Sequence, residues 1–129
     1  MDNINKRFVG KKYEEIAEKY LTDNGYIIKE KNFFTDFGEI DIIGYNEGYL
    51  CFIEVKARFK NPVALGLCSV NYEKQGTISY VAKYYLYKNH IKEDKTPCRF
   101  DVVSIDKGKI TLIKNAFSFV KKRKRRKRL

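Results

Sequence analysis

Two runs of residues, Glu39 to Tyr45 and Tyr49 to Ala57, constrain this chain more than any other feature. Each is rich in Ile, Phe, Val and Tyr, and Asn46-Glu47-Gly48 between them is turn chemistry, so together they predict a β-hairpin. Strand side chains alternate, which sends Glu54 and Lys56 to one face with Phe52, and Cys51, Ile53 and Val55 to the other. Centring the turn on residues 46 to 49 pairs Tyr45 with Leu50, Ile43 with Phe52 and Asp41 with Glu54. A slip of one residue would put Asp41 opposite Ile53, on the wrong side of the sheet.

In that register two carboxylates face each other about 4.5–5.5 Å apart at Cβ, an arrangement that repels unless something compensates it. A divalent cation is one solution. Magnesium prefers oxygen ligands, takes one or two carboxylates and keeps waters that a phosphate can displace. Lys56, one pleat along, would then orient or activate a bound water, or stabilise charge on a phosphate. The plainer reading is a solvated strand face on which Lys56 pairs with Glu54 or Glu39. Against it, both segments are otherwise strongly apolar, which suits a central hairpin, and Phe52 partly covers the carboxylate face.

The rest of the chain supplies the packing partners. Tyr13, Ile16, Ala17, Tyr20 and Leu21 share a helical stripe within residues 12 to 24, and Asn24-Gly25 supplies the stop. Tyr26 to Lys29 reads as a short strand. A second helix is predicted at about Asn71 to Asn89, with Ile78, Val81, Ala82, Tyr85 and Leu86 on one face. Two strands follow, Arg99 to Ile105 and Lys109 to Lys114, joined across Asp106-Lys107-Gly108. The order is α-β-β-β-α-β-β, and a mixed sheet with a helix against each face is the economical packing. His90, at a helix end, reads as a capping cation and not as a ligand.

The 129 residues suffice for one core, expected within 1–120, with a basic tail at 121–129 expected to be solvated. Residues 121 to 128 read Lys121, Lys122, Arg123, Lys124, Arg125, Arg126, Lys127 and Arg128. They carry most of the net charge of +11; the remaining 19 basic and 16 acidic residues leave only +3. Such a run favours a polyanion, whose binding releases counterions and weakens with salt. A solubilising or ribosome-associated tail, or a surface for anionic lipid, uses the same charges. No apolar run approaches the ~20 residues needed to cross a bilayer, so no membrane partner is expected. The first seven residues are not backed by a secretory apolar stretch, which points to the cytoplasm. Cys51, Cys68 and Cys98 are odd in number and widely spaced, and form neither a metal-binding pair nor a disulfide framework.

An Asp…Glu-x-Lys set on a β-hairpin after an N-terminal helix resembles the PD-(D/E)xK restriction-endonuclease-like superfamily. Within it the chain looks most like the bacterial YraN-like family, itself distantly similar to archaeal Holliday junction resolvases. The residues that carry the resemblance are Glu14, Ala17, Tyr20-Leu21, Gly25-Tyr26, Asn32, Gly38-Glu39-Ile40-Asp41, Phe52-Ile53-Glu54-Val55-Lys56-Ala57-Arg58, Lys74-Gln75, Arg99-Phe100-Asp101-Val102-Val103 and Asn115-Ala116-Phe117. Tyr13 stands where the family usually has glycine, and Ile40 where the superfamily motif has proline.

The resemblance implies a restriction-endonuclease-like fold and a metal-dependent, structure-selective DNA endonuclease. It implies Asp41, Glu54 and the Val55 carbonyl as ligands of Mg2+ or Mn2+, Lys56 as the catalytic lysine, and Glu14 as a helix acid helping to hold metal or water. Read alone, a helix glutamate such as Glu14 is ordinarily solvated. Lys74 and Gln75 either contact phosphate at a helix N-terminus or are ordinary first-turn polar residues. Arg58 and Lys60, just past the catalytic strand, are expected to position phosphate. DNA is the expected partner ahead of RNA, and a resolvase-like homodimer is compatible with it. A nucleic-acid-binding module without catalysis and an RNA-directed nuclease are the alternatives.

Overall fold

The computed structural model describes residues 3–57 and 70–121, with side chains from residue 10 onward. Its elements run α1 (Asn3–Asp23), β1 (Ile27–Thr35), β2 (Gly38–Asn46), β3 (Tyr49–Ala57), α2 (Tyr72–Lys88), β4 (Cys98–Asp106) and β5 (Lys109–Phe117). The five strands form one sheet in the order β1-β2-β3-β4-β5. Every pairing is antiparallel except β3 with β4, whose parallel alignment follows from the crossover through α2. This mixed α/β sheet with a helix on each face has the element order expected from the sequence, and is consistent with a nuclease-like fold.

Each face of the sheet has its own core. On one side Ile40, Ile43, Leu50, Phe52, Phe100 and Val102 pack against Ile78, Val81, Ala82, Tyr85 and Leu86 of α2. On the other, Ile42, Cys51, Ile53, Val103 and Ile105 pack against Ala17 and Leu21 of α1. The alternation of β3 is therefore as expected, with Phe52 facing α2 and Cys51 and Ile53 facing α1. The stripe on α1 is narrower than the sequence suggests. Ala17 and Leu21 are fully buried, but Ile16 is exposed at the edge of the contact.

Both helices stop by the same device. Gly25 is in the left-handed region (φ 90°), Gly25 N–H donates to the Thr22 carbonyl and Tyr26 N–H to the Leu21 carbonyl. This pair of bonds satisfies the last carbonyls of α1 and turns the chain into β1. At the end of α2, His90 takes the left-handed position (φ 57°), its N–H bonding to the Tyr87 carbonyl and that of Ile91 to the Leu86 carbonyl. His90 thus caps with its backbone, which corrects the expectation of a capping imidazolium. The start of α2 is fixed by Asn71, whose side chain accepts from the Lys74 amide at 2.8 Å.

β1 is nine residues long, not four, because its polar stretch from Lys29 to Asn32 lies on an exposed edge where periodicity gives no signal. It carries a bulge between Ile28 and Glu30, and Asn32 is left-handed (φ 53°). The opposite edge strand, β5, bulges between its pairings of Ile113 with Val102 and Phe117 with Phe100, and also contains a left-handed residue, Asn115 (φ 54°). At Gly44 the strands come too close for a side chain: a Cβ there would sit 2.6 Å from the Ile27 carbonyl oxygen.

Candidate active site

The β2–β3 ladder has the expected register, with Tyr45 opposite Leu50 and Ile43 opposite Phe52, but its last backbone pair is Ile42 with Ile53. Beyond it β2 rotates. Ile40 packs toward α2 whereas Ile42, two residues on, packs toward α1. Asp41 sits at this twist and is not a ladder partner of Glu54, as simple pairing would have it. Its Oδ2 accepts the Val55 amide at 2.8 Å, so a side chain does the work of a backbone carbonyl. The two strands part here, and the resulting notch at the end of the hairpin is reached from both helices.

Asp41 and Glu54 are brought together as expected. They are buried, 8% and 6% exposed, with their carboxyl groups in hydrogen-bonding contact. Two ionised carboxylates about 4 Å apart would repel by about 4 kcal/mol at an effective dielectric of roughly 20. Burial, then the hydrogen bond to Glu54 and its charge, push the Asp41 carboxyl up to about 8, against the opposing pull of the Val55 amide and Lys74. Asp41 therefore keeps its proton into neutral solution.

Other side chains surround the pair. Glu14, half-buried on α1, is raised by burial and then by the charge of Asp41, and its hydrogen bond to Asn32 and the charge of Lys31 act the other way. Lys74, in the first turn of α2, places Nζ 3.4 Å from Glu54 Oε2. Lys56 is half-buried on β3, two residues beyond Glu54. Its neighbour across the parallel pair is Ser104, whose hydroxyl is buried and has no hydrogen-bond partner among the described residues. Val55, between them, turns its side chain to the α1 core.

Two residues not singled out for the site belong to it. Glu39 is raised by burial and then by the charges of Asp41 and Glu14, and its Oε2 is buried without a hydrogen-bond partner among the described residues. Its position two residues before Asp41 was the available signal. Asn32 holds Glu14 from the edge strand, and no local pattern announces that. Gln75 lies in the first turn of α2. Its Nε2 donates to the Val70 carbonyl at 2.8 Å and braces the start of α2. Lys121 is exposed at the end of the described chain, and Arg58, Lys60, Cys68 and residues 122–128 lie outside the described residues.

At the other end of the sheet is a second buried polar group. Arg99 Nε and Nη2 bond to Asp101, and Nη2 also reaches Tyr26 Oη and Asn46 Oδ1. Asp101 in turn accepts from the Asn115 amide and from Tyr26. This network, with Arg99 Nη1 3.6 Å from Glu47 Oε1, ties β4 to the hairpin and to the chain leaving α1. Burial, followed by the charge of Asp101, pushes the neighbouring Cys51 thiol up to about 12; burial pushes Cys98 up to about 11. Neither is a nucleophile at neutral pH.

Among the described residues no group of three or more His, Cys, Asp or Glu side chains is arranged to hold a metal ion by itself. The donor set still fits magnesium, which takes one or two carboxylates and completes its shell with waters and substrate oxygens. The Glu39 Oε2 atom, buried without a hydrogen-bond partner among the described residues, adds a further carboxylate oxygen beside the pair. Among the described residues, no helix is long and apolar enough to cross a membrane.

The class is a mixed five-stranded sheet with two helices, with a buried acid pair and Lys74 at the split end of the β2–β3 hairpin. The chain belongs to the uncharacterised protein family UPF0102, the YraN-like proteins, whose family model matches residues 13–105. It is 44% identical over 114 residues to a UPF0102 protein of Lachnoclostridium phytofermentans, covering 88% of this chain and 96% of that one. A UPF0102 protein of Legionella pneumophila strain Corby is 44% identical over 110 residues, with 84% and 92% covered. One from Clostridium tetani is 42% identical over 123 residues, with 91% and 98% covered. The matched region contains Glu14, Glu39, Asp41, Glu54, Lys56 and Lys74.

Proposed function

We propose that the chain is a metal-dependent endonuclease that hydrolyses DNA phosphodiesters at branched or flapped structures, with Mg2+ or Mn2+ as cofactor. The observation that carries this reading is the convergence of Asp41 and Glu54 in one buried contact, beside Lys74 and on the same sheet face as Lys56. Burying two acids, one of which must keep its proton up to about pH 8, costs desolvation that apolar side chains would not, so their presence here needs another reason.

Asp41, Glu54 and the Val55 carbonyl would hold the cation, with Glu14 and Glu39 hydrogen-bonding to water around it. When bound, the cation lowers the pKa of water and polarises a phosphoryl oxygen. The protein's own residues do the rest. Val55 N–H keeps the Asp41 carboxyl aimed into the notch. Lys56 places a positive charge where the phosphate gains negative charge as water adds to phosphorus and a P–O bond to one strand end breaks. Lys74, released from Glu54, pairs with a neighbouring phosphate near the N-terminus of α2. The cationic run at 121–128 supplies sequence-independent attraction to the duplex.

The test is nicking of branched and flapped DNA by purified full-length protein in magnesium or manganese. Activity that persists in Glu54→Gln, after controls for contaminants, refutes the mechanism. One observation favours a second reading, a binding module without catalysis: Lys74 already supplies a positive charge to Glu54 from within the chain. That reading expects salt-sensitive DNA binding indifferent to EDTA, with no cleavage in either metal.

A further inference from the structure

The outward side of α2 carries an aromatic stripe that the acidic notch does not use. Tyr80, Tyr84 and Tyr87 follow one another at helical spacing and are 43%, 45% and 80% exposed. Phe37, in the β1–β2 turn and 56% exposed, meets Tyr80 edge-on with ring centroids 4.8 Å apart. Tyr84 adjoins Phe33, whose ring is capped by Lys88 Nζ at 5.6 Å from its centroid. The face therefore carries four exposed rings, with Lys88 at its margin.

Two further observations orient this face. It leads toward the acidic notch: one turn before Tyr80, Thr77 packs so closely on Gly38 that a Cβ there would be 2.7 Å from its methyl carbon, and Lys74 reaches Glu54. It also adjoins the segment after β5. Val120 N–H donates to Ser79 Oγ at 2.9 Å and the Val120 side chain lies against Gly76. Lys121, next in the chain and exposed, thus follows a residue held against α2. Lys83, which also pairs with Glu93 at 3.5 Å, lies over the Phe119 ring on the same flank.

We propose that Tyr80, Tyr84, Tyr87 and Phe37 form a stacking platform for an unpaired DNA strand, with Lys83 and Lys88 beside the rings to pair with its phosphates. The inference rests on the nuclease reading only for DNA as the polymer. Ring faces accept any base, and stacking on aromatics is how single strands are held without sequence preference. The bases of a duplex are already stacked on one another, so an unpaired strand is what offers free base faces to the rings. A substrate with an unpaired arm would lie along α2 and deliver the junction to Asp41 and Glu54.

The experiment measures binding of a labelled oligothymidylate and of a blunt duplex to the full chain, at fixed salt and in EDTA. Working without divalent metal makes binding independent of cleavage, so failure of the platform and failure of the nuclease reading are told apart. The variant Tyr80→Ala/Tyr84→Ala/Tyr87→Ala is expected to weaken oligothymidylate binding by about tenfold or more while changing duplex binding by less than about twofold. The matching Tyr→Phe triple variant keeps its rings and is expected to bind as the wild type does. Should the alanine variant misfold, Tyr87→Ala alone, at the most exposed ring of the stripe, together with quenching of tyrosine fluorescence by the oligonucleotide, decides the matter. Unchanged oligothymidylate affinity, an equal loss for the duplex, tighter binding of oligouridylate, or a wild-type dimer that the alanines dissociate would each overturn the proposal.

Discussion

The Val55 amide donates to the carboxylate of Asp41 at 2.8 Å, across the point where β2 and β3 stop pairing through their backbones. The acid that would bind a cation is therefore also part of the sheet's hydrogen-bond accounting. Substitutions at Asp41 separate these two duties. Asparagine retains an acceptor for Val55 N–H and ends the repulsion with Glu54. Asp41→Asn should abolish metal-dependent cleavage and raise the stability of the metal-free protein at pH 8 by about 1 kcal/mol or more, roughly one pKa unit's worth. Asp41→Ala loses the acceptor as well and should fall below the asparagine variant. Urea unfolding of the two variants beside wild type provides the comparison.

The raised Asp41 carboxyl fixes the sign of the pH dependence. Between its ordinary value of 3.8 and about 8, the folded protein holds a proton that the unfolded chain has released. This contribution to stability is complete below the lower value and is lost as pH rises through the upper one. Glu14 and Glu39, also raised, act in the same direction. The metal-free melting temperature should decline across this window. Binding of Mn2+ should release a proton and tighten with pH up to about 8, a release measurable by calorimetry in buffers of different ionisation heat. A metal affinity independent of pH would contradict the assignment of Asp41 as a ligand.

Lys74 and a divalent cation compete for the same carboxylate. Lys74→Met removes the ammonium 3.4 Å from Glu54. Lys74 is half-exposed, so the metal-free protein should lose only about 1 kcal/mol. Its stabilisation by manganese should exceed that of wild type, because the cation no longer displaces an internal partner. A variant that gained less from manganese than wild type would place the cation elsewhere.

Asp101 supplies a control far from the notch. It is 1% exposed and neutralises Arg99, itself 6% exposed. Asp101→Ala leaves a buried guanidinium without its partner and should cost about 3–5 kcal/mol. The loss should appear in denaturant titrations and be unaffected by manganese.

Gly44→Ala tests the sheet itself. The added Cβ meets the Ile27 carbonyl, a backbone atom that cannot rotate away. A loss of about 1–3 kcal/mol is expected from overpacking, read by thermal unfolding.

The hairpin was legible because turn length and alternation act together over adjacent residues. Tyr45 opposite Leu50 and Phe52 facing α2 follow from those two rules alone. What escaped was everything decided by packing at a distance. The twist at Asp41 depends on Ile40 and Ile42 being claimed by different helices, which no period-two pattern contains. Lys74 reaches Glu54 only because the crossover lays α2 over β3, and Asn32 reaches Glu14 because the polar half of β1 remains a strand. His90 caps α2 through a left-handed backbone that its sequence position gave no reason to expect. The convergence of Asp41 and Glu54 was readable from turn position and alternation, whereas the depth at which they are buried comes from the helices packed over the sheet.

Both outer strands depart from regular geometry, β1 with a bulge and a left-handed Asn32, β5 with the bulge opposite Phe100 and a left-handed Asn115. Such interruptions, with Lys29, Glu30 and Lys31 along one margin, spoil the template that a foreign strand would need. Edge-to-edge annealing of one copy on another is disfavoured for that reason at both margins of the sheet.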